Sequence, residues 1–137
     1  MPASARKTSA AAAEAVNLGP ASRDPLIGDL RRAGLLPLLV LHYVCAQPCY
    51  GNQLMDRIGE LTAGAIPVNP NTMYPLLRSL EAQGLVAGEW EHPERRSRRF
   101  YRITDAGRVE RDRLAAELGP RLDRIAASIE AIRREVL

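Results

Sequence analysis

The chain has 137 residues, 46% of them hydrophobic and 26% charged, which suits one soluble globular domain with some residues left over for a tail. A net charge of +3 is mildly basic, and an aromatic content of 4% argues against a large aromatic cleft. The longest apolar run, Leu35 to Leu41, is far short of the roughly 20 residues a membrane-spanning helix needs, so no membrane association is expected. The first 28 residues hold no continuous apolar stretch of signal-peptide type, and two cysteines are too few for a disulfide scaffold. A cytoplasmic protein is the expectation.

Residues 1–28 are rich in Ala and Ser and read as a flexible N-terminal extension. The alternative is an arm that touches DNA or a partner through Arg6, Lys7 and Arg23. From Leu30 to Ala46 the chain is apolar almost all round, which predicts one buried helix with Pro37 near its first turn. Gln47-Pro48 ends it. A second helix is predicted over Gly51 to Leu61, with Leu54, Ile58 and Leu61 on one face and Thr62-Ala63-Gly64 as its close. His42, Cys45 and Cys49 suggest a metal or redox site, but Pro48 interrupts their shared face. Structural cysteines and a satisfied core histidine are the preferred reading, with no metal and no cofactor.

Asn69-Pro70-Asn71-Thr72 is a dense helix-start signal, and Pro75 places the start of the helix proper near Thr72. Met73, Leu76, Leu77 and Leu80 follow core spacing, while Asn71, Tyr74, Pro75 and Arg78 follow the same spacing one step away and face outward. Gly84 stands where a left-handed C-terminal residue is wanted. The period then changes to two. Leu85 to Glu91 and Phe100 to Ile103 predict a two-stranded antiparallel hairpin whose tip carries His92 to Ser97, and Trp90 is expected to pack in its first strand.

From Arg95 to Arg102 there are five arginines and no acid, a local charge that suits an anionic polymer. A last helix, capped by Thr104 or Asp105, carries Leu114, Leu118, Leu122, Ile125, Ile129, Ile132 and Val136 at near-heptad spacing, with a kink expected at Gly119-Pro120.

Three helices, a basic hairpin and a long helix are the order of a mainly α winged helix-turn-helix domain (29–104) followed by a C-terminal dimerisation helix (105–137). Duplex DNA admits one helix into its major groove, and a hairpin beside it can set arginines on phosphate. The candidate DNA-binding residues are Asn69, Asn71, Thr72, Tyr74, Arg78, Arg95, Arg96, Arg98 and Arg99. Among them Arg78 is suited to guanine or phosphate, and the Tyr74 hydroxyl to phosphate. Tyr50 is read as a packing residue and Glu81 as a surface salt-bridge partner. The candidate dimer interface is Leu114, Leu118, Leu122, Ile125, Ile129 and Ile132.

Together, Leu35-Leu36-Pro37-Leu38-Leu39-Val40-Leu41, Gln47 to Leu54, Thr72 to Val86 and Arg99 to Gly107 resemble the PadR family of bacterial transcriptional regulators, over about Arg32 to Leu118. The Tyr-Pro-x-Leu-x-x-Leu-Glu-x-x-Gly-Leu-Val core and the Tyr-x-x-Thr-x-x-Gly ending carry the resemblance. It implies a homodimeric repressor on a pseudo-palindromic double-stranded DNA operator, often released by a small-molecule effector. Asn52 stands where the family commonly has an aromatic, and Gln53 where it has Glu. The last helix has no aromatic, so flat ligands held between helix tryptophans are not expected here. The alternative is a winged-helix protein–protein interaction module with little DNA binding. No catalytic constellation supports an enzyme.

Overall fold

The structure, a computed structural model, describes residues 25–92 and 94–137, without the side chains of residues 95–97. The possible contacts of Arg6, Lys7 and Arg23 lie outside the described residues, as do the side chains of Arg95 and Arg96.

The single helix expected from Leu30 is two. Helix α1 spans Pro25–Arg32 and α2 spans Leu35–Ala46. Gly34 separates them at φ 103°, a left-handed conformation that a side chain would strain. The Gly34 amide donates to the Arg31 carbonyl at the end of α1, while its carbonyl accepts from Leu38 at the start of α2. Helix α1 therefore includes residues 25–28, which composition had placed in the extension. Pro37 sits in the first turn of α2, where its missing N–H has no partner to lose. Leu35, Leu36, Val40, Leu41 and Val44 of α2 are buried, as an all-round apolar helix requires.

After Pro48, Cys49–Tyr50 forms a short strand, β1, and α3 follows over Gly51–Leu61. Gln53 Oε1 accepts from the Tyr50 amide at 2.9 Å, so Gln fills the helix-start role that Glu commonly takes. Leu54 and Ile58 are buried, whereas Leu61, expected on the same face, is 58% exposed. The helix stops there, and positive φ at Ala63 and Gly64 turns the chain away before the core can cover the Leu61 side chain.

Helix α4 spans Pro70–Ala82 and begins two residues earlier than the sequence suggested. Asn69 Oδ1 accepts from the Thr72 amide at 3.2 Å. Pro75 then lies inside the helix and cannot donate to the Asn71 carbonyl; Asn71 is exposed, so water can serve that oxygen. Gly84 takes φ 77° past the C-terminus, as expected.

The wing consists of β2 (Val86–His92) and β3 (Arg95–Ile103), and β1 adds a third strand in the antiparallel order β1-β3-β2. The sequence predicted only two. Two residues are too few to show an alternating pattern, and the β1 pairings, Cys49 with Tyr101 and Tyr50 with Phe100, join distant parts of the chain.

Helix α5 runs unbroken over Asp105–Val136, through Gly119-Pro120. It packs along α2, and Leu114 and Leu118 are 6% and 0% exposed. Both were expected to face a partner subunit; within this one chain they are already buried, so that part of the seam is core.

The main core joins α2, α3, α4, the sheet and Leu114. A second cluster centres on Leu30, Leu35 and Ile66, with Ile27 and Ile125 packed against it.

At the start of α5, Thr104 Oγ1 lies 2.7 Å from the Gly84 carbonyl oxygen and accepts from the Gly107 amide at 3.0 Å. One hydroxyl thus caps α5 and ties it to the end of α4. Thr104→Ala is expected to lower stability by about 1–2 kcal/mol in denaturant unfolding.

Candidate nucleic-acid interface

Helix α4 has the two faces its spacing predicts. Met73, Leu77 and Leu80 are buried, while Asn71, Pro75 and Arg78 are exposed. Leu76 is only partly buried. Tyr74 is half-buried: its ring lies so close to Gly51 that a Cβ there would come within 2.7 Å of it. The absence of a side chain at Gly51 lets α3 and α4 approach and fixes the Tyr74 ring at their junction. Asn69 and Thr72 meet in the helix cap, so the Asn69 side-chain oxygen Oδ1 is already engaged. Arg78 makes no ion pair with any described residue.

The sheet divides its side chains by the pleat. Tyr101 is buried on the face toward the helices, and Arg99 and Trp90, paired across β3 and β2, share that face. Arg98, Phe100 and Arg102 alternate onto the other face.

On that outer face Arg98 makes two 3.0 Å hydrogen bonds to the Glu91 carboxylate and lies 4.1 Å over the Tyr50 ring. The Tyr50 hydroxyl donates to Glu91 at 2.9 Å, and its ring is 5.1 Å from that of Phe100. Arg102 pairs with Glu89 at 2.8 Å. On the inner face Arg99 pairs with Glu81 of α4 at 2.6 Å and donates to the Gly88 carbonyl at 3.2 Å.

The arginine block is thus less free than its linear sequence implied. No acid interrupts it along the chain, but Glu89 and Glu91 reach it from the neighbouring strand and Glu81 from α4.

The hydrogen bond from Arg98, followed by that from Tyr50, holds the Glu91 carboxyl below its ordinary value of 4.5. A lowered folded pKa contributes stability in full above the unfolded value and loses it as pH falls through the folded value. The wing is expected to keep this network above pH 4.5 and loosen below it. NMR titration of the Glu91 carboxyl and the Arg98 Nε–H will show the transition, and Glu91→Gln should abolish it at Arg98.

Between α4 and the wing opens a cleft of about 730 Å3. Tyr50, Tyr74, Trp90 and Tyr101 line it, four of the six aromatic residues in the chain. The low aromatic content was therefore a poor guide, because the fold concentrates the few rings in one place. Asn52, Arg78, Glu81, Arg98 and Arg99 supply polar lining.

His42 is exposed, not in the core, with Nδ1 3.0 Å from Arg111 Nη2. Cys49 is buried, and burial pushes its thiol up; Cys45 is partly buried, with Sγ 3.1 Å from Arg108 Nη1. Among the described residues no three His, Cys, Asp or Glu side chains are grouped to hold a metal ion, and no helix is long and apolar enough to cross a membrane.

A helix-turn-helix with its second helix presented beside a β-wing, extended by a long C-terminal helix, defines a winged-helix DNA-binding protein. Residues 40–113 match the Transcriptional regulator PadR-like family. The Transcriptional regulator Rv3488 of Mycobacterium tuberculosis is 39% identical over 82 residues, 58% of this chain and 74% of that protein. A PadR family transcriptional regulator from Eggerthella lenta has a similar solved structure, 34% identical with a TM-score of 0.60, over 77% of this chain and 89% of that one. A Streptococcus mutans structure is 26% identical with a TM-score of 0.60, over 72% and 89% respectively. The chain belongs to the PadR-like family and is a DNA-binding transcriptional regulator.

Proposed function

We propose that the protein is a sequence-specific repressor that acts in the cytoplasm as a homodimer on a pseudo-palindromic operator and is released by a small-molecule effector. The observation that carries site recognition is Arg78: exposed on α4, beside the cleft and in no ion pair with a described residue. A guanidinium on the outer face of a helix that enters the major groove is placed to bind guanine or a flanking phosphate. Asn71, Thr72 and Tyr74 would extend the contact along the same helix. Arg98 and Arg99, engaged with carboxylates, reach phosphate only by giving up those partners; Arg95 and Arg96 are carried over from the sequence alone as phosphate contacts. The dimer rests on the apolar side chains of α5 beyond Leu118. Repression and effector release rest on the family resemblance, and no catalytic step is proposed.

Selection of bound duplexes from a random pool, with and without candidate small molecules, tests this reading. A repressor of this kind enriches a two-fold-related sequence and releases it when its effector is present. Failure to enrich any sequence would favour the protein-interaction module. Arg78→Ala should cost roughly 1–3 kcal/mol on the enriched duplex if Arg78 reads a base, and should weaken all duplexes alike if it holds a phosphate.

A further inference from the structure

Arg99 is held by several groups at once. Its guanidinium pairs with Glu81 of α4 at 2.6 Å, donates to the Gly88 carbonyl of β2 at 3.2 Å, and lies 5.1 Å from the centre of the Trp90 ring. Gly88 leaves the room for it, since a Cβ there would come within 2.8 Å of Arg99 Nε. The partners belong to different elements. Glu81 is near the C-terminal end of α4; Gly88 and Trp90 are in the first wing strand; Arg99 is in the second. Both side chains of the ion pair are only about one-third exposed, at 28% and 33%, so water screens the contact incompletely.

We infer that Glu81 and Arg99 are positioning residues: their ion pair is a strut that sets the wing against the recognition helix and so determines how sharply one operator is discriminated from other DNA. The inference rests on the proposed sequence-specific binding. If helix and wing must meet one DNA strand from two sides, the angle between them selects the duplex shapes that engage both. A loose wing still touches phosphate but no longer penalises the wrong shape. Lys in place of Arg99 keeps the charge but has no planar fork to hold a carboxylate and a carbonyl while covering an indole face.

The test uses the full-length protein, the duplex enriched by selection and a random-sequence duplex, each across a salt series. Arg99→Lys, Glu81→Gln and Gly88→Ala are the variants, and thermal unfolding checks that each is folded. Each is expected to lose about tenfold in preference for the enriched duplex over the random one. For Arg99→Lys and Gly88→Ala, which change no charge, the salt slope should stay at the wild-type value. Effects of Arg99→Lys and Glu81→Gln should be strongly non-additive.

A direct phosphate contact gives another pattern: Arg99→Lys behaves as wild type, and Glu81→Gln tightens binding to every duplex because one anion has left the DNA-facing surface. That result, or additive effects, overturns the strut. A second readout needs no DNA. Amide hydrogen exchange in β2 and β3 should quicken in all three variants, and unchanged exchange also overturns the proposal. If no duplex is enriched, the site-specific reading fails by itself, and exchange alone decides whether the strut orders the wing.

Discussion

Gly107→Ala is expected to destabilise the protein by about 2–3 kcal/mol, although alanine is the better helix former. Gly107 lies in the first turn of α5, where its amide donates to Thr104 Oγ1. An added Cβ would collide with the Leu85 carbonyl oxygen and would come within 3.0 Å of the Ile103 side chain. The Leu85 oxygen cannot swing aside as a flexible side chain would. It is backbone, and it already accepts from the Thr104 amide at 3.2 Å. Relief requires α5 to move away from the α4–β2 connection, which loosens the cap and the packing behind it. Gly59→Ala in α3 is the control: among the described residues nothing lies within 4 Å of a Cβ there, so the substitution should stabilise by up to about 1 kcal/mol. Denaturant midpoints measured at one protein concentration decide both. A Gly107→Ala protein as stable as wild type would refute the close approach.

The second large effect concerns α5 beyond the core. Leu122, Ile129, Ile132 and Val136 are 37%, 45%, 60% and 68% exposed and continue the near-heptad spacing. Ile125 is partly buried against the Leu30–Leu35–Ile66 cluster, and Arg121 pairs with Asp29 at 2.7 Å, so contacts from α1 and α2 reach as far as this point on α5. An isologous pair of such helices uses each side chain twice. Burying an isoleucine is worth roughly 1.5–3 kcal/mol, and a carboxylate in its place reverses the sign. The double variant Ile129→Asp with Ile132→Asp should therefore run as a monomer at micromolar concentration in sedimentation velocity, with an unchanged circular-dichroism spectrum. Loss of the linked second head should weaken operator binding by on the order of 100-fold. A variant that remains dimeric, or a wild type that is monomeric, would remove α5 as the dimer element.

The features that follow from neighbours along the chain were readable without coordinates. The apolar run of α2, the cap at Asn69 and the two faces of α4 each repeat within a few residues, and a helix converts that repeat directly into a face. The family motif covers the same stretch. The boundaries that were misread depended on a single backbone conformation. Gly34, which follows Arg31-Arg32, divides the stretch from Leu30 to Ala46, and the cap at Asn69 starts α4 early although Pro75 must then sit inside it. Arg99 had one usable signal: alternation puts it on the face of Tyr101, away from Arg98 and Arg102.

From the order of its residues alone, the chain is a set of helices and a wing in which one helix shows polar side chains opposite a core face, because helical and pleated periods are local properties. Tertiary structure decided which charges are free. Glu81, Glu89 and Glu91 reach the arginines only when strand register and helix packing bring them within 3 Å, and Arg78 is left without such a neighbour among the described residues. It also decided how α5 is divided, placing Leu114 and Leu118 in the core and leaving the later seam exposed. Electrostatic pairing and burial depend on distances in space, and a one-dimensional charge or heptad count does not contain them.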